Sequence, residues 1–144
     1  MGERRKAREI AVQTLYEIAH TEEPYARALA GNLERRGGGP ETRDYADRLL
    51  RTIEAHRDEI TCRITEALTN WALERVAMVD RCILEVGCAE ILYFEDMPLG
   101  VVINEAVEIA RRFSTHESGA FVNGVLDRIA HGQSRPAAVP EAEE

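Results

Sequence analysis

Four cations stand close together near the start of the chain: Arg4, Arg5, Lys6 and Arg8. The apolar residues that follow them recur at the helical period, so the cations occupy the first turns of a helix. The unpaired N–H groups there make the helix end positive, and each cation opposes that field by about 0.3–1 kcal/mol. A local rule broken without visible compensation points to a functional site, here one whose ligand is an anion. Steps of three and four place Arg5, Arg8, Val12 and Tyr16 on one flank, which puts a phenol ring beside two guanidinium groups. Guanidinium groups pair with phosphates and aromatic rings stack on bases, so the chemistry offered is nucleic-acid binding. The competing account is a solvated helix start with Tyr16 half buried.

Other chemistries find little support. His20, His56, His116 and His131 are scattered, and none has a nucleophile at a suggestive spacing. No Gly-x-Ser-x-Gly element is present. Gly37-Gly38-Gly39-Pro40 lacks the Lys-Ser/Thr of a phosphate-binding loop. Cys62, Cys82 and Cys88 form no Cys-x-x-Cys pair and no zinc-ligand set, so they read as reduced, buried thiols. Glu105 and Glu108 read as a solvated face, with Glu108 and Arg112 as an i,i+4 pair. Trp71 reads as a core plug, and Asn123-Gly124 as a packing feature. No enzyme activity, metal or cofactor is expected.

Composition narrows the class. With 144 residues, 44% hydrophobic and 31% charged, the chain suits one folded domain or two small subdomains. A net charge of −8 argues against a generally basic nucleic-acid binder, so RNA or DNA contact needs a local basic patch. The charged N-terminus has no apolar run like that of a signal peptide, and no stretch suits a membrane span, so a cytoplasmic location is expected.

The elements that must position these residues are helical. Met78 to Phe94 is apolar on most sides and carries only Asp80, Arg81, Glu85 and Glu90 as charges, which predicts a central core helix. Before it, helices are predicted over 4–20 and 24–36. A long run over 42–71 follows, one helix or two, with Thr42 as N-cap and Tyr45, Ala46, Leu49, Ile53, Ile60, Ile64 and Leu68 inward. After it, Pro98 marks a break. Helices follow over 99–113, with Ile103, Ala106, Val107, Ala110 and Phe113 inward, and over 118–130, with Phe121, Val122, Val125, Leu126 and Ile129 inward. Residues 131–144 read as a disordered acidic tail.

Three segments together resemble the NusB family of bacterial transcription antitermination factors. They are Arg4 to Tyr16; Val79 to Leu84 with Glu90, Pro98 and Ile103 to Ala110; and Ser118 with Phe121-Val122-Asn123-Gly124-Val125-Leu126-Asp127. The resemblance spans residues 4 to 130. It implies an all-α fold, a compact domain of about six to seven helices in two packed helical halves. A single NusB-like domain would then cover 1–130, with halves of about 1–73 and 74–130. It also implies a non-catalytic protein that pairs with NusE, a small-subunit ribosomal protein. The pair binds boxA RNA and supports the transcription elongation complex in ribosomal RNA operons. Some relatives pair with themselves, so a homodimer is left open.

By position, the resemblance assigns RNA contact to Arg4, Arg5, Lys6, Arg8, Tyr16, Glu117 and Phe121. It assigns partner contact to Tyr16 and to Asp80, expected at the exposed end of the central helix. Ala120 stands where many relatives carry a basic residue. Two other functions compete: the RNA-binding domain of an RNA cytosine methyltransferase, of which this chain would be a piece, and a helical protein-interaction domain without an RNA role.

Overall fold

In the structure, a computed structural model, the described residues are 2–69 and 72–132. They form seven α-helices and one 3₁₀ turn, with no strand among them. Trp71 and residues 133–144, which hold most of the expected tail, lie outside the described residues. The chain divides into two compact units, residues 1–57 and 58–144.

The first unit is α1 (Gly2–Thr21), α2 (Tyr25–Arg36) and α3 (Pro40–Ala55), with α1 packed on both others. The core is the predicted stripe of α1, including Ala7, Ile10, Ala11 and Leu15, against Ala28, Leu29 and Leu33 of α2 and Tyr45, Ala46, Leu49 and Ile53 of α3. One fully buried amide, Asn32, is satisfied on each side. Its Nδ2 donates to Thr14 Oγ1 (3.1 Å) and Ala28 O (3.2 Å), and Arg36 Nε donates to its Oδ1 (3.0 Å). A buried polar group so paired avoids the desolvation penalty and sets how α2 lies on α1. Gly37, at φ 78°, closes α2 by donating its N–H to Leu33 O. The N-cap of α3 is Gly39, not Thr42. Pro40 starts the helix two residues earlier than expected, because its fixed φ suits the first turn. The Thr42 hydroxyl instead donates to Glu3 O (3.4 Å), joining α3 to the start of α1.

The run over 42–71 is two helices: α3, then α4 (Arg57–Ala67) after a single turn at His56. The apolar stripe lapses between Ile53 and Ile60, and Asp58 and Glu59 favour a new helix start there. α4 falls mostly in the second unit, where Arg128 Nε donates to Ala67 O (2.7 Å).

The second unit is centred on α5 (Met78–Tyr93), packed on both α6 (Leu99–Phe113) and α7 (His116–Gly132). Every residue from Cys82 to Leu92 is buried, as expected of a helix apolar on most sides. Gly87 allows the close approach of α7: a Cβ there would lie 2.7 Å from Leu126 Cδ1. Gly124 has no such role, since a Cβ there would lie 3.8 Å from Arg128 Nη1, an ordinary contact with a flexible side chain. On α6, Ala106 and Ala110 are buried as predicted. Glu105 is buried as well and is not part of a solvated face; the stripe is turned toward Val102, Glu105 and Ile109. Glu108 pairs with Arg111 (3.2 Å), and Arg112 lies over the Phe113 ring. α7 is longer than predicted at both ends, and His131 and Gly132 belong to it rather than to a tail.

Candidate nucleic-acid interface

The N-terminal cations keep the helical placement the sequence demands, but their surroundings differ from the expected flank. Arg4 and Lys6 are exposed, Arg5 is half-buried, and Arg8 is buried, only 3% exposed. The ring beside the guanidinium groups is Tyr45 of α3, not Tyr16. Arg4 Cζ lies 4.9 Å and Arg8 Cζ 5.5 Å from its centroid. A third guanidinium, Arg48 of α3, lies 6.0 Å from the same centroid. Arg8 extends across the contact between α1 and α3 because its four-bond stem packs like an apolar side chain, while its planar head stacks on a ring. The solvated Arg8 of the sequence reading is therefore corrected: its charge sits against Tyr45. Tyr16 is 40% exposed and forms a separate pair with His20, with centroids 4.5 Å apart.

In the second unit, three residues assigned by position come together. Asp80, Glu117 and Phe121 line one open cleft of about 350 Å³, with Arg75, Val76, Ala77, Thr115 and Ser118. Phe121 is half-buried and Glu117 exposed. Asp80 departs from expectation. It lies in the first turn of α5 but is only 8% exposed, so it is not at a solvent-facing helix end. The start of α7 covers it, and Ser118 Oγ donates to Asp80 Oδ2 (3.0 Å). Ser118 is held in turn by Ser114 Oγ (2.9 Å) and Thr115 Oγ1 (3.0 Å). Asp80 Oδ1 is buried and has no hydrogen-bond partner among the described residues.

The cysteines are not alike. Cys82 and Cys88 are buried, but Cys62 is exposed, correcting the expectation for that thiol. It occupies an outward position on α4, where its thiol donates to Glu66 (3.5 Å). That hydrogen bond, before all else, pushes the Cys62 pKa up, and burial pushes Cys88 up to about 12. Neither thiol is poised as a nucleophile. No group of three or more metal-ligating side chains is placed to hold an ion among the described residues, and no described helix is long and apolar enough to cross a membrane.

Comparison with known proteins decides the family. Residues 5–131 match the NusB family. The chain belongs to the NusB family. The transcription antitermination protein NusB of Geobacter sulfurreducens is 44% identical over 90% of this chain and 95% of its own length. The same-named protein of Myxococcus xanthus is 40% identical over 94% of this chain and 100% of its own. These relatives are antitermination proteins, and the family is not one of enzymes. Among solved structures, T. maritima NusB is 33% identical, with a TM-score of 0.86 over 94% of this chain and 95% of that one. A NusB solved with NusE and double-stranded RNA is 27% identical, with a TM-score of 0.86 over 92% of this chain and 99% of that one. The all-α reading and the NusB resemblance are thus borne out.

Tyr45 and Arg48 are the site residues that sequence reasoning missed. Tyr45 looked like core because it is core, 6% exposed. Arg48 follows it by three residues and so shares its flank, a signal that gains meaning only once α1 is known to lie against α3.

Proposed function

We propose that this protein is a cytoplasmic transcription antitermination factor that, with NusE, binds boxA RNA and supports processive transcription of ribosomal RNA operons. The observation that carries the reading is the gathering of α1 guanidinium groups around Tyr45, in a chain whose NusB-family relative has been solved with NusE and RNA. The two units form one NusB-like domain over 1–130. In the first unit, Arg4, Arg5 and Lys6 meet phosphates, Arg8 positions them, and Tyr16 serves RNA or partner. In the second, Phe121 stacks on a base, with Glu117 beside it. Asp80 meets the partner from the cleft it lines rather than at a helix tip, so a basic side chain must reach in.

The physics suits a shared task. A chain of net charge −8 with a small basic patch binds RNA weakly alone. A basic ribosomal partner offsets acidic surface and extends the RNA-binding face. The test is binding of the NusE complex to boxA RNA at several salt concentrations. Each phosphate contact should contribute about 0.7 to the slope of log affinity against log salt. Replacing Arg4 and Arg5 by Ala should flatten the slope by about 1–1.5 units, two contacts' worth. Phe121→Ala should lower affinity and leave the slope unchanged, because stacking releases no counterions. An arginine double variant with unaltered affinity and slope would remove the N-terminal cluster from the RNA site.

A further inference from the structure

At the end of α2 two guanidinium groups meet a buried amide. Asn32 is fully buried, and its Oδ1 accepts from Arg36 Nε (3.0 Å) and Arg35 Nη2 (3.3 Å). Its Nδ2 donates to Thr14 Oγ1 of α1 (3.1 Å), and Thr14 donates in turn to Ile10 O (2.7 Å). The amide is therefore tied to α1 on one side, and its oxygen holds the arginines of α2 on the other. The two arginines differ in what else they meet. Arg35 Nη2 also reaches Glu17 Oε2 (3.0 Å), which offsets its charge. Arg36 is exposed, and beyond its Nε it is bound to no group among the described residues. Another cation comes to the same place. Lys6 of α1 is exposed, and its Nζ would lie 4.0 Å from a Cβ on Gly37, the residue after Arg36. Cations in a last turn suit the negative end of a helix, which is the plain account of Arg35 and Arg36. That end carries about half a charge, so Arg36 and Lys6 together exceed it, and they repel each other. The plain account also leaves Asn32 unexplained, because a buried amide costs free energy unless each of its groups is paired.

We infer, on the RNA reading above, that Arg36 is a phosphate-binding residue held in place by Asn32, and that with Lys6 it carries the RNA backbone from the start of α1 to the end of α2. The ligand is phosphate because the terminal edge of a guanidinium, with Nε already anchored, offers two parallel N–H donors to a pair of phosphate oxygens. Anchoring Nε on a buried acceptor orders the guanidinium before RNA arrives, which lowers the entropy cost of binding. Asn32 acts only through Arg36 and is a positioning residue. Arg35, its neighbour in the chain, is paired with Glu17 and serves as a control of equal charge on the same helix turn.

The experiment uses the full chain with NusE, titrated with boxA RNA and with a scrambled RNA of the same length across a range of salt. Arg36→Gln should weaken binding several-fold at low salt and reduce the salt slope by about 0.7. The loss should be the same on both RNAs, because phosphate contacts carry no sequence information. Arg35→Gln should leave the slope unchanged. Asn32→Leu should weaken binding in the parent and add no loss in the Arg36→Gln background, since a positioning residue has nothing left to position there. If Arg36→Gln keeps the parental slope while the Arg4/Arg5 double variant flattens it, Arg36 is not a phosphate contact and the RNA reading stands. If neither flattens it, the RNA reading itself falls. If Arg35→Gln flattens the slope as much as Arg36→Gln, the effect is one of net charge and the assignment is overturned. A loss for Arg36→Gln that is equal at every salt concentration and comes with a lowered melting temperature would make Arg36 structural, and would also overturn it. A further loss from Asn32→Leu on top of Arg36→Gln would overturn the positioning role of Asn32.

Discussion

Among the described residues, the buried charge of the first unit is a cation, Arg8, packed on Tyr45, and those of the second are carboxylates, Asp80, Glu85, Glu90 and Glu105. The two kinds of ion ask different things of their surroundings. A guanidinium is weakly hydrated and planar, so a ring face and a packed stem meet many of its needs. A carboxylate is strongly hydrated and accepts through in-plane lone pairs, so it needs donors at fixed places. The Ser118 hydroxyl beside Asp80, itself held by Ser114 and Thr115, is such a donor. The first unit thus sets its cation on a ring face, and the second holds Asp80 by a directed network at the junction of α5 and α7.

The largest effect should come from neither charge but from the core they border. Leu84, fully buried on α5, should cost about 2–5 kcal/mol as Leu84→Ala in chemical denaturation. A loss under about 0.5 kcal/mol would mean α5 is not the centre of its unit, and the comparison would lose its scale. Next comes Gly87→Ala, whose methyl would meet Leu126 Cδ1 at 2.7 Å and should cost about 1–3 kcal/mol. In a Leu126→Val background the same change should cost less, and an unaltered cost would show that the strain lies elsewhere.

The contrast itself is tested by a pair of variants. Ser118→Ala leaves Asp80 Oδ2 without its donor and should cost about 1–3 kcal/mol. Arg8→Met keeps the stem packing and a thioether against Tyr45, so it should cost about 1 kcal/mol or less. If the order is reversed in urea denaturation, the first unit needs the charge of Arg8 and not its shape. The smallest effect concerns the thiols. Cys62 is exposed and Cys88 buried with a pKa of about 12, so an alkylating reagent should modify Cys62 first in the native protein. Because the Glu66 hydrogen bond raises the Cys62 pKa, its rate should keep climbing as pH rises past 9.0, and Glu66→Gln should speed it at lower pH. Early labelling of Cys88, read by mass spectrometry, would mean that α5 is poorly covered.

Much of this protein was legible before any coordinates. The all-round apolar character of Cys82 to Leu92 determined a covered helix, because apolar side chains on every face leave no side for water. The stripes of α1, α3 and α7 determined their buried faces, and the cations Arg4 to Arg8 stood out as the candidate anion site. Periodicity and charge act within one helix, so one chain suffices to read them. Tertiary structure decided which helix meets which, and with it the fate of each polar side chain near a contact. It buried Asp80 beneath Ser118, thirty-eight residues away, and turned Glu105 inward. It also exchanged Tyr16 for Tyr45 as the ring beneath the arginines and brought Arg48 to the same place. Those outcomes depend on distances between residues remote in the chain, which no spacing along a single helix encodes.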